Sequence, residues 1–117
     1  MKQITLNIGG QDCIFYFGLG FLGNLIEKSG VGMHEIDAKI QENPFKWMPL
    51  IMFHSVAFGY IRNNEEIPFT SFEVADWIDA DGGFDSKVVI DFFAAFRQSL
   101  VKDVPIDTDT KKKVTKK

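Results

Sequence analysis

Residues 4–17 read Ile-Thr-Leu-Asn-Ile-Gly-Gly-Gln-Asp-Cys-Ile-Phe-Tyr-Phe, and no other stretch constrains the fold as tightly. Ile4, Leu6 and Ile8 alternate with Thr5 and Asn7, the two-residue period of a half-buried strand. Gly9-Gly10 supplies two residues that tolerate positive φ, as a two-residue hairpin turn requires. Cys13, Phe15 and Phe17 then alternate with Asp12, Ile14 and Tyr16. A two-residue loop places Leu6 opposite Cys13 and Ile4 opposite Phe15, which collects the apolar side chains on one face. A hairpin alone is barely stable in water, so this face must rest on helices.

The rest of the chain has helical spacing. Leu19, Leu22, Leu25 and Ile26 predict a first helix that ends at Ser29-Gly30. Residues 33–42 predict a short second helix with Met33, Ile36 and Ile40 on one side, stopped by Asn43-Pro44. A third helix is expected from near Trp47, with Pro49 in its first turn, where no internal N–H partner is lost. It is apolar around nearly its whole circumference, which marks the buried, central helix. Thr70-Ser71-Phe72-Glu73 is a capping box for a fourth helix reaching about Ile78. Residues 79–83 break the chain, and a fifth helix is expected from near Asp85 to Lys102.

The fold class that follows is mainly α within α+β: an N-terminal antiparallel hairpin packed on about five helices. Residues 1–103 form the expected domain, and 104–117 a disordered, lysine-rich tail.

The fifth helix is unusually apolar. Val88, Val89, Phe92, Phe93, Phe96 and Leu100 fall within roughly 140° at 100° per residue, and Ile90, Ala94 and Val101 widen the arc toward roughly 240°. Resting on one core needs a stripe only somewhat over 100° wide. The excess is read as a partner-binding surface of Val89, Ile90, Phe92, Phe93, Phe96, Leu100 and Val101.

Composition narrows the function classes. The chain has 117 residues, twelve of them Phe, and a single cysteine, Cys13. One cysteine forms no internal disulfide and suits a reducing compartment, and Cys13 reads as a buried structural thiol. Residues 104–117 hold five lysines against Asp107 and Asp109, a local +3; the whole chain carries −3, so residues 1–103 carry −6. An acidic body argues against a general nucleic-acid binder. The N-terminal residues lack the apolar core of a signal peptide. The apolar run from Trp47 to Ile61 falls short of the ~20 residues a membrane span needs.

Gly18-Leu19-Gly20-Phe21-Leu22-Gly23 is a literal G-x-G-x-x-G. The dinucleotide fingerprint needs a parallel strand after its helix and an acidic residue about 20 positions on. Here the preceding strand belongs to a hairpin and no βαβ unit follows, so these glycines read as a sharp turn and close packing. Asp76, Asp79, Asp81 and Asp85 surround Gly82-Gly83. Counting from Asp79, an EF-hand would need glycine at Phe84 and glutamate at Ile90, so a helix end and an acidic N-cap region account for them. His34, His54 and Cys13 lack the spacing of a zinc site. No catalytic residue, cofactor site or metal site is expected.

Two segments resemble the tail assembly chaperones of long-tailed bacteriophages. The hairpin and first helix match through Ile4, Leu6, Gly10, Tyr16 or Phe17, Gly18, Phe21, Leu22 and Leu25. The fourth helix matches through Thr70, Glu73, Val74, Asp76, Trp77, Ile78, Asp79 and Gly83. The likeness covers about residues 2–100, and it departs at Gly9 and in the Phe-rich last helix. It implies a non-enzymatic protein of the host cytoplasm, not secreted, acting in virion assembly without becoming part of the particle. Its partners would be the helical tape measure protein, tail tube subunits and further copies of itself, with no nucleic acid and no membrane. It also implies a longer form made by ribosomal frameshifting near the lysine codons. The competing reading is a small adaptor or nucleic-acid-binding module that uses the basic tail, with steeply salt-dependent binding.

Overall fold

A computed structural model describes residues 3–103; residues 1–2, the tail 104–117, and the side chains of Met33 and residues 101–103 lie outside the described set. The strands are β1 (Gln3–Ile8) and β2 (Gln11–Tyr16). The helices are α1 (Leu19–Ser29), α2 (Ile36–Glu42), α3 (Pro44–Arg62), α4 (Ser71–Ala80) and α5 (Lys87–Asp103), with one 3-10 turn, Met33–Glu35, leading into α2. This is the α+β arrangement expected: one antiparallel hairpin on five α-helices.

β1 and β2 pair with Ile4 opposite Phe15, Leu6 opposite Cys13 and Ile8 opposite Gln11. Gly9 and Gly10 both have positive φ, 64° and 80°, as a type I′ turn requires. The inward face carries Ile8, Cys13 and Phe15, all buried, and Phe17 continues it just past the strand. α5 covers this face. Phe92 meets Phe15 edge-on at 5.2 Å between ring centres and Phe17 at 5.4 Å, while Phe96 lies 6.0 Å from Phe21. Residues some 75 positions apart in sequence thus close the domain.

α3 is the central helix. It touches β2, α1, α2 and α4, and buries Trp47, Ile51, Met52, Val56, Ala57 and Gly59. Ser55 is fully buried on it and donates its hydroxyl proton to the carbonyl of Tyr16 at 2.9 Å. That bond satisfies a buried hydroxyl, and it ties α3 to the edge of β2 that β1 leaves open.

The helix ends follow local chemistry. Asn43 closes α2 by donating its N–H to Lys39, and opens α3 by accepting from the Lys46 N–H through its side chain. Pro44 takes the first position of α3, where its missing N–H costs nothing. The helix therefore starts three residues earlier than expected, and Pro49 lies inside it rather than in its first turn. The carbonyl left without a helical donor belongs to Phe45, a residue 70% exposed.

At α4 the capping box is complete. Thr70 Oγ1 accepts the Glu73 N–H at 3.2 Å, and Glu73 Oε1 accepts the Thr70 N–H at 2.9 Å. Gly82 and Gly83, both at positive φ, unwind the chain beyond α4, and the Gly83 N–H returns to the Ile78 carbonyl. Asp81, the residue that caps α4, accepts the Gly9 N–H at 3.1 Å and holds the hairpin turn against the helix end.

Gly9 is needed twice over. Its backbone is left-handed, and a Cβ there would lie 2.7 Å from Trp77 Cγ, an atom close to the α4 backbone that cannot swing away. Gly10 is equally left-handed but faces open space. Gly10→Ala is expected to cost about 1–2 kcal/mol from the backbone alone. Gly9→Ala should lose a further ~1–3 kcal/mol through the collision. Chemical denaturation of the two variants measures the difference, and equal losses would place Trp77 elsewhere.

Candidate functional site

The surface assigned to the last helix is not where the sequence placed it. Val89, Phe92, Phe93 and Phe96 are at most 3% exposed and form the core beneath the hairpin, so they hold the fold and are closed to a partner. Of the seven residues, Ile90 is 57% exposed, Leu100 is half-buried, and the side chain of Val101 lies outside the described residues. One face of α5 makes all of these contacts: Phe92 meets the strand at Phe15, and Phe96, one turn on, meets α1 at Phe21, while Ile90 and Ala94, which widen the apolar arc, stay exposed.

The glycine-rich loop is explained by packing. Gly18 has φ 109°, a conformation open to glycine, and its carbonyl accepts the Leu22 N–H that starts α1. A Cβ on Gly20 would come within 2.6 Å of the Phe58 ring, while Gly23 faces nothing within 4 Å. α1 then ends at Gly30 in a left-handed cap, and a 3-10 turn follows in place of a strand. The sheet among the described residues is the antiparallel pair alone, so the loop lacks the parallel framework that holds a dinucleotide.

Among the described residues no three His, Cys, Asp or Glu side chains are grouped to hold a metal ion. Asp81 of the acidic cluster is occupied by the Gly9 N–H. Burial, with a smaller contribution from the Asp12 charge, pushes the Cys13 thiol up, away from the reactive thiolate. His54, half-buried on α3, is lowered by desolvation and by the charge of Lys28. Its neutral form is the one the fold accepts. The unfolded chain takes up that proton near the ordinary value of 6.5, so stability falls as pH drops through that value. Thermal unfolding at pH 7.5 and pH 5.5 should show His54→Gln losing less on acidification than the parent; identical losses would remove His54 as the cause.

Two surface features remain. Phe45, at the start of α3, and Phe84, in the α4–α5 connection, meet edge-on at 5.0 Å between ring centres while 70% and 43% exposed. Phe72 and Leu19 are more exposed still, at 82% and 79%. None of these was marked as a site residue from sequence. The available signal was that Phe45 and Phe72 fall just inside helix starts, before the buried stripe of each helix begins.

The second feature is an open cleft of about 450 Å³ along β2, between the strand, the C-terminal half of α3 and α4. Tyr60, Phe69 and Trp77 form a continuous aromatic wall, with ring centres 5.7 and 5.2 Å apart. Asp12, Glu65 and Glu73 also line it, with no lysine or arginine. Among the described residues no helix is long and apolar enough to cross a membrane.

No protein-family model, no curated protein and no solved structure matches this chain.

The assignment of α5 to the core gives a direct expectation. Phe96→Ala should destabilise the fold by about 3–5 kcal/mol. Ile90→Ser, on the exposed flank, should stay within about 0.5 kcal/mol of the parent. Urea melts of both measure this, and a mild Phe96→Ala would return that ring to the surface.

Proposed function

We propose that the chain is a non-enzymatic tail assembly chaperone of a long-tailed bacteriophage, one that binds the helical tape measure protein and helps recruit tail tube subunits. The observation that carries the reading is the Phe45–Phe84 pair, two phenylalanines exposed together beside a core that is already filled. Phe has no polar tip to present to water, so a solvent-facing pair of this kind is an apolar anchor in search of a partner. The resemblance of the hairpin and of the capped fourth helix to these chaperones agrees with it.

The chemistry suits such a client. An amphipathic helix offers an apolar stripe that can lie across exposed aromatic rings. Each copy buries little area, and at ~25 cal/mol per Å² binds weakly. A long client engages many copies, so the sum is strong while each contact stays reversible. Reversibility is needed if the coat is to give way to tube subunits. Self-association through the same rings follows when the client is absent.

Co-expression with a long helical tape measure protein should raise that protein's soluble fraction. The Phe45→Ser/Phe84→Ser double variant should fold with little change in stability yet lose most of this effect. No gain in solubility and no co-purification with the parent chain would contradict the reading. An undiminished effect from the double variant would move the binding surface elsewhere.

A further inference from the structure

The cleft beside β2 belongs to a different part of the surface from the Phe45–Phe84 pair. Phe45 and Tyr60 sit 15 residues apart on α3, roughly 22 Å along the helix axis. The cleft combines three things that seldom meet by chance: an unpaired strand edge, an aromatic wall and a one-sided charge.

The edge follows from the hairpin register. With a two-residue loop, Ile8 and Gln11 close the turn as a hydrogen-bonded pair, and Leu6–Cys13 and Ile4–Phe15 repeat that pattern. The backbone groups of Asp12, Ile14 and Tyr16 therefore point away from β1. The Tyr16 carbonyl does so visibly, since it accepts the Ser55 hydroxyl from α3. Among the described residues, no backbone group outside the hairpin bonds to the edge at Asp12 and Ile14. β2 lines the cleft from Gln11 to Ile14 and at Tyr16, and no β1 residue does. An edge strand without a backbone partner accepts another strand.

The charge chooses the side chain. Aromatic ring faces attract cations, and Asp12, Glu65 and Glu73 add carboxylates to a lining that holds no lysine or arginine. We propose that the cleft receives an extended, lysine- or arginine-bearing segment of a partner protein. That segment adds to β2 as a short third strand at Asp12 and Ile14, and lays its cationic side chain against the Tyr60–Phe69–Trp77 wall. The proposal does not rest on the chaperone reading, which uses other rings and a helical client.

The test is binding of synthetic peptides to the full chain, read by calorimetry and by Trp77 fluorescence with Trp47 replaced by Phe. The probe is acetyl-Thr-Lys-Val-Lys-Val-Lys-Thr-amide. Its controls are the same sequence with Glu for Lys, and a version with alternate backbone amides methylated, which keeps the charge and blocks strand pairing. The lysine peptide should bind at least about tenfold tighter than either control. Glu65→Gln with Glu73→Gln should weaken it about tenfold at unchanged melting temperature, because Gln keeps the capping geometry at Glu73. Equal binding of the methylated and parent lysine peptides would reduce the site to a general acidic surface and overturn strand addition. No binding of the lysine peptide would overturn the site. If exchanging the five tail lysines for Gln raises peptide affinity about tenfold, the occupant is the chain's own residues 111–117, which overturns the partner assignment. Dimerisation that the peptide displaces would assign the cleft to a second copy and overturn it likewise.

Discussion

The meeting of Phe15, Phe17 and Phe21 with Phe92 and Phe96 is the contact on which the domain depends. The hairpin cannot stand alone, and its apolar face is covered mainly by rings from the last helix. The contacts are mostly edge-on or tilted, the geometry in which a ring's positive rim meets its neighbour's negative face, worth about 0.5–1.5 kcal/mol per pair beyond the buried area. Because the partners come from opposite ends of the sequence, this one cluster encloses α1 and the hairpin together. α3 then braces the other side through the Ser55–Tyr16 bond.

Local structure was largely readable from the chain. The Gly9-Gly10 loop fixed the strand register, Ser29-Gly30 ended α1, and Thr70 with Glu73 opened α4, because each depends on a few neighbouring residues. The start of α3 was misplaced for a local reason too: Pro44 breaks a helix when met from one side and begins one when met from the other. What sequence could not supply was burial. The arc on α5 shows that many faces are apolar, and it does not show what covers them. α3 takes the centre, and the hairpin face needs a helix of its own, α5, to cover it.

The surface inverts the expected division of labour. The Phe-rich last helix is structural, while the solvent-facing rings are phenylalanines at element starts and in a connection, the Phe45–Phe84 pair and Phe72. The cleft was equally hidden, since its walls come from β2, the end of α3 and α4, joined only by tertiary packing. The same packing explains Gly9: the turn must pass so close to Trp77 that no side chain fits between them.

Native-state hydrogen exchange of the hairpin and α5 tests the central claim most directly. If the aromatic cluster closes the domain, the amides of Cys13 and Phe15 and those of Phe92 to Phe96 exchange only through global unfolding, with one shared free energy. Exchange of the α5 amides through a separate, cheaper opening, while β2 stays protected, would contradict it: α5 would then be an appendage and its phenylalanines free to leave the core.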